Sequence, residues 1–121
     1  MNVSSVFGDP VQLQQVFLNL LVNACDAIDA AAEGPRKITI DVAFSEPQTV
    51  GVFVRDTGGG FDEPDLERMF EHFVSTKPRG LGMGLAISRS IVHAHGGRLW
   101  ASRNAERGLT FHVELPCTPG G

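Results

Sequence analysis

Hydrophobic positions along the chain switch between two periods. From Asp9-Pro10 to about Ala32 they recur at helical spacing, and the segment stops at Glu33-Gly34-Pro35. Asp9 offers an N-cap oxygen, and Pro10 is a first-turn residue with no N–H to leave unpaired. Leu13, Val16, Phe17, Leu18, Leu20, Leu21, Val22, Ala24, Cys25 and Ala27 surround this helix, which is therefore expected to be largely buried. One line along it is not apolar. At about 100° per residue, Gln12, Gln15, Asn19, Asn23 and Asp26 align. A bland solvent stripe would be Lys and Glu, since Asn and Asp are weak helix formers. Amide and carboxylate oxygens can instead ligate a hard cation.

The period then changes to two. Ile38, Ile40, Val42 and Phe44 alternate with Thr39, Asp41 and Ala43, which predicts a half-buried strand. Val50, Val52 and Val54 alternate with Gly51, Phe53 and Arg55 in a second, and the short turn between them predicts an antiparallel hairpin. A short helix is expected over about Glu63 to Phe70, with Phe70 and Phe73 as core anchors. Val74 to Gly84 lacks periodicity and reads as a mobile loop. Leu85 to His95 is helical, with Ile87, Ile91 and Val92 on its apolar side and Gly96-Gly97 as its end. Strands follow over Arg98 to Arg103 and Leu109 to Leu115. Strand pairs interleaved with helices predict an α+β two-layer sandwich: a mixed, mostly antiparallel sheet with helices on one face. A doubly wound parallel sheet would need a helix after each strand.

Composition narrows the function classes. The chain has 121 residues, enough for one domain with a real core, and it reads as an excised piece of a longer protein. A net charge of −4 gives no basic footprint for nucleic acid. No apolar run approaches the roughly 18 residues of a membrane span, so no direct membrane insertion is expected. Met1 to Gly8 does not have the form of a signal peptide. The two cysteines, Cys25 and Cys117, make no disulfide framework, and Cys25 is expected to be a small buried residue in a reducing compartment.

Two further stretches carry candidate chemistry. Asp56 has the parity of Val50, Val52 and Val54, so it points to the apolar side at its strand's end, where an acid needs a partner. Thr57-Gly58-Gly59-Gly60 follows, a loop that lets backbone approach a ligand. Gly80-Leu81-Gly82-Met83-Gly84-Leu85 is a glycine-rich loop opening onto a helix, an arrangement that binds anions through free N–H groups and the helix dipole. It lacks the Gly-Lys-Ser/Thr of a Walker loop and does not follow a strand directly, as a dinucleotide loop would. Thr76 and Lys77 lie just upstream, a hydroxyl and a cation within reach of a terminal phosphate.

Together, in this order, these motifs resemble the ATP-binding catalytic domain of sensor histidine kinases. That domain has the Bergerat fold shared with gyrase, heat-shock chaperone and mismatch-repair ATPases. The resemblance runs from about Asp9 to Pro116. It implies ATP and Mg²⁺ as cofactors. It makes Asn23 the Mg²⁺ ligand and Asn19 its partner near the phosphates. Asp56 becomes the acceptor for the adenine amino group, with Gly58 and Gly60 shaping that pocket. Gly80, Gly82 and Gly84, with Leu81 and Met83 between them, match the phosphate lid, and the Leu85 helix start lies behind it. Ser75-Thr76-Lys77 is similar to the segment of short-lid kinases whose lysine contacts phosphate. Thr110 resembles a threonine supporting the adenine aspartate through water, although strand alternation puts it opposite Phe111, so that a bulge would be required.

The resemblance further implies a protein-histidine kinase whose γ-phosphoryl group goes to a histidine on its own dimerisation domain, with a response regulator receiver downstream. None of His72, His93, His95 and His112 looks like that acceptor, so the dimerisation domain is expected to lie outside this chain. A cytoplasmic location follows. Asn19 separates this reading from a gyrase- or mismatch-repair-type ATPase, which carries a glutamate there to activate water; an amide is no general base. Asp26, where many kinases have a basic or aromatic residue, reads as polar filler. A degenerate nucleotide-binding or docking module is the remaining alternative.

Overall fold

The computed structural model describes residues 6, 8–31, 34, 36–45, 48–59, 66–70 and 82–117. Helix α1 spans Pro10–Ala30. Its N-cap is Asp9, whose Oδ1 accepts from the backbone N–H groups of Val11 (2.9 Å) and Gln12 (3.3 Å). Strands β1 (Ile38–Ser45) and β2 (Thr49–Asp56) form the expected hairpin. A 3-10 turn covers Leu66–Phe70, α2 covers Gly82–Ala94, and β3 (Arg98–Arg103) and β4 (Leu109–Pro116) complete the order. The α+β two-layer arrangement is as expected, with a four-stranded sheet in the order β1-β2-β4-β3. Its three pairings are all antiparallel rather than mixed. Among the described residues no helix is long and apolar enough to cross a membrane.

β4 is interior to the sheet, so its alternation becomes full burial: Leu109, Phe111, Val113 and Leu115 all face the helix layer. Val16, Leu20 and Ala24, spaced by four along α1, meet them with Val50 and Val54 of β2, and Ile28, one turn on, is also buried. α2 adds Leu85 and Val92 over β3, and Gly97 N–H closes its end on Val92 O (2.9 Å). Phe70 is buried edge-on to Phe111 (6.2 Å between centroids), as the anchor role requires; Phe73 lies outside the described residues. Arg89 of α2 secures that turn, stacking on the Phe70 ring and pairing with Glu67 (2.6 Å).

Burial departs from the sequence pattern in four places. α1 is not largely buried: Val11 and Leu18 are 71% and 59% exposed, because only one side of α1 meets sheet and α2. Cys25 lies on the outward side and is exposed, whereas Cys117 is buried. β1 is an edge strand, and Ile40, Val42 and Phe44 on its apolar face are 53%, 57% and 65% exposed. α1 lies over β2 and α2 over β3, so the helix layer stops short of β1. On α2, Ile87 is exposed, and Ser88 takes the fully buried position beside Leu85 and Val92.

The sheet's outer face carries an aromatic row. His112 stacks on Trp100 (4.9 Å, 2° between planes), receives the Phe53 ring edge-on (5.4 Å) and shares a 2.7 Å hydrogen bond with the Ser102 hydroxyl. Burial holds the imidazole below its ordinary pKa, and the nearby Glu114 carboxylate opposes that shift only in part. The unfolded chain therefore takes up this proton before the folded one, so the stability carried by neutral His112 is complete above the ordinary pKa and shrinks below it. Thermal midpoints are expected to fall as pH drops below about 6.5, less steeply in His112→Phe, which keeps a ring between Phe53 and Trp100. Equal acid slopes in the two proteins would reject this role.

Candidate functional site

The polar stripe of α1 runs from solvent into the helix layer. Gln12 and Gln15 are exposed, Asn19 and Asp26 half-buried, and Asn23 is only 3% exposed. α2 meets the stripe at Asn19. Asn19 Nδ2 donates to Gly84 O (3.3 Å) and Ser88 Oγ (3.1 Å), so the amide ties α1 to the first turns of α2. Asn23 lies one turn further along α1. Its Oδ1 is buried and finds no hydrogen-bond partner among the described residues. A buried amide oxygen without a donor is destabilising by about 1–3 kcal/mol, and a cation ligated there would satisfy it.

α2 begins at Gly82, three residues before the expected start at Leu85. Gly82, Met83 and Gly84 thus belong to its first turn, where backbone N–H groups lack intrahelical acceptors. A methyl group built on Gly84 would lie 3.4 Å from Asn19 Cγ, so this turn runs directly beside the α1 stripe. Leu85 faces the core and is buried. Gly60, Thr76, Lys77, Gly80 and Leu81 lie outside the described residues.

Asp56 ends β2 on the helix side of the sheet and is 1% exposed. Its Oδ1 accepts from Gly58 N–H (2.8 Å) and Leu109 N–H (3.4 Å), so two backbone donors fix the carboxylate's orientation. Gly58 is required sterically. A Cβ there would sit 2.5 Å from the carbonyl carbon of Ala27, and the next residue, Gly59, donates its N–H to Ala27 O (3.2 Å). The loop after Asp56 is thereby pressed onto α1 one turn beyond Asn23.

Thr110 pairs with Arg55 in unbroken register, so the bulge that its expected role required does not occur. Its side chain lies on the outer face of the sheet, opposite Asp56. Thr110 Oγ1 donates to Asn104 Oδ1 (2.5 Å), and Asn104 Nδ2 donates to Asp56 O (2.9 Å). Thr110 thus reaches Asp56 through the Asn104 side chain, and at the backbone carbonyl. Two residues escaped the sequence reading. Ser88 left a faint signal, a hydroxyl in line with Leu85 and Val92; Asn104 left only that of an Asn in a turn. Among the described residues, two clefts of about 490 and 560 Å³ line the outer face and rim near Arg55 and Asn104, away from Asn19 and Asn23.

Residues 8–119 match the family of histidine kinase-, DNA gyrase B- and HSP90-like ATPases. The chain belongs to this family. Among its curated relatives are sensor proteins and sensor histidine kinases. The sensor protein FixL of Bradyrhizobium diazoefficiens is 43% identical over 111 residues, 92% of this chain and 22% of FixL. A mycobacterial sensor histidine kinase, MprB, superposes with a TM-score of 0.82 at 29% identity, over 94% of this chain and 76% of the solved one. Full-length ShkA, solved in complex with AMPPNP, gives 0.79 at 30% identity, over 96% of this chain and 24% of its own. This member of the family therefore corresponds to the catalytic ATP-binding module of sensor histidine kinases, and it spans about a fifth of FixL.

Proposed function

We propose that this module binds Mg²⁺·ATP between the α1 stripe and the first turn of α2, with adenine at Asp56, and presents the γ-phosphoryl group to a histidine on a separate dimerisation domain. The observation that carries the reading is the buried Oδ1 of Asn23, without a hydrogen-bond partner among the described residues and one turn along α1 from the Asn19 that meets the start of α2. It is a hard oxygen donor, and Mg²⁺ is commonly held by one or two protein oxygens together with phosphates and waters. Asn23 would hold the ion. When bound, Mg²⁺ neutralises phosphate charge; the protein's own part is positioning. Gly82 and Gly84 offer backbone N–H groups to phosphate oxygens, and Asn19 holds that turn against α1. The transferred phosphoryl would leave ADP for an imidazole nitrogen, then pass to a response regulator. Thr76 and Lys77 are proposed to meet the terminal phosphate.

An ATPase of the gyrase type is the second reading. Asn19 weighs against it, since an amide that donates to Gly84 O and Ser88 Oγ is a strut and cannot take a proton from water. Calorimetry with a non-hydrolysable ATP analogue, with and without Mg²⁺, tests the site as a whole: absence of binding would sink it. Asp56→Asn isolates the base. It removes a charged acceptor, so affinity for ATP and ADP is expected to fall alike, by about 10- to 100-fold. A loss confined to ATP would show that Asp56 serves the phosphates instead.

A further inference from the structure

The turn between β3 and β4 is built around one side chain whose polar capacity is almost wholly used. Asn104 Nδ2 donates both to Asp56 O (2.9 Å) and to Arg107 O (3.0 Å). Its Oδ1 accepts from Thr110 Oγ1, and its backbone N–H reaches Gly108 O (3.0 Å). The rest of the turn closes on the same loop. Leu109 N–H supplies one of the two donors to Asp56 Oδ1, and Arg107 Nε donates to Gly58 O (3.3 Å). Asp56 thus has its carbonyl held by Asn104 while its carboxylate is held by the N–H at the other end of the same turn. The separation in sequence between Asp56 and Asn104 is 48 residues, so no local backbone preference would keep the two together.

We infer that Asn104 is a positioning residue for base recognition, setting the orientation of the Asp56 carboxylate through the 104–108 turn, with Thr110 orienting the Asn104 amide. Asn104 touches no nucleotide in this scheme. Removing its amide takes a donor from the carbonyls of Asp56 and Arg107, and the turn then loosens its hold on the Leu109 N–H as well. A carboxylate free to turn would no longer discriminate an amino group from a carbonyl oxygen at the purine 6-position. The inference rests on the reading that adenine sits at Asp56, and its test separates the two.

The experiment titrates ADP and GDP into the wild-type chain, Asn104→Ala, Thr110→Val and Thr110→Ser, and follows amide hydrogen exchange at Gly58 and Leu109 without nucleotide. In Asn104→Ala both amides are expected to exchange faster, and the preference for ADP over GDP to shrink about tenfold through weaker ADP binding. Thr110→Val is expected to shift both readouts in the same direction, by about threefold, with Thr110→Ser restoring them because it keeps the hydroxyl. Equal weakening of ADP and GDP, or unchanged exchange at Gly58 and Leu109, overturns the inference: a merely structural residue would lower stability without touching the ratio. Should Asn104→Ala fail to fold, the Thr110 pair decides by the same criteria. A wild type without preference for ADP would reject adenine at Asp56, and the exchange rates would then decide the role of Asn104 alone.

Discussion

Asn23→Leu is expected to abolish Mg²⁺-dependent nucleotide binding while leaving the nucleotide-free protein as stable as the wild type, or more so. The two halves have one cause. Asn23 Oδ1 is buried without a hydrogen-bond partner among the described residues, so the fold as described leaves a desolvated acceptor there. Leucine has similar bulk and no such oxygen, and it removes a penalty of about 1–3 kcal/mol. For a chain of this size, each kcal/mol is worth roughly 3–5 °C in midpoint. The same change deletes the proposed ion ligand. Loss of an outer hydrogen bond alone commonly weakens metal sites by about 10- to 100-fold, so loss of the ligand itself is expected to weaken Mg²⁺-dependent affinity by at least about 100-fold. Calorimetry with and without Mg²⁺, paired with a thermal melt, reads both. Retained Mg²⁺ dependence would remove Asn23 from the site. A midpoint lowered by many degrees would show that its amide is structural.

Gly108→Ala is expected to be the most damaging single change in the β3–β4 turn. Gly108 has φ of +87°, where an L side chain is strained by about 1–2 kcal/mol. Its Cβ would also lie 2.1 Å from Asp56 O and 2.8 Å from Asp56 Oδ1, contacts that only backbone displacement can relieve. Overpacking of this kind adds about 1–3 kcal/mol. The midpoint is therefore expected to drop by roughly 10 °C or more, and ADP binding to weaken even where the variant remains folded, because the displaced group is Asp56 itself. Gly34→Ala is the control. It shares a positive φ (+109°), but the atoms its Cβ meets belong to the Arg107 guanidinium, a flexible side-chain end. A Gly108→Ala variant no worse than Gly34→Ala would contradict the close approach.

The elements were legible because their signals are local. The Asp9-Pro10 cap, the two alternating hairpins and the Gly96-Gly97 stop each lie within a few residues, and the structure places the elements there. Burial was less legible. Alternation records that Ile40, Val42 and Phe44 share a face, but not that β1 lies at the sheet's edge beyond the helix layer. The same limit explains Cys25, apolar by type and outward by position. Of the site, Asn19, Asn23 and Asp56 stood out because each is a costly residue for its place: amides in a helix, an acid on a strand's apolar side. Ser88 and Asn104 did not, since a serine in a helix and an asparagine in a turn are ordinary. Their roles come from partners 69 and 48 residues away, Asn19 and Asp56. Thr110 was half legible: its outward direction followed from alternation, while its route to Asp56 needed a side chain that no pattern pointed to.

The contact of Gly58 with Ala27 has a consequence for what the site can accept. The loop after Asp56 lies directly against the backbone and methyl group of Ala27, on the helix that carries Asn23. In the proposed site the spacing between the two main-chain stretches that carry Asp56 and Asn23 is then fixed, and only the rotamers of those two side chains are left to adjust the distance from base to metal. Such a site works as a gauge: it accepts ligands of one length from purine to phosphate and leaves a shorter or longer one with one end out of register.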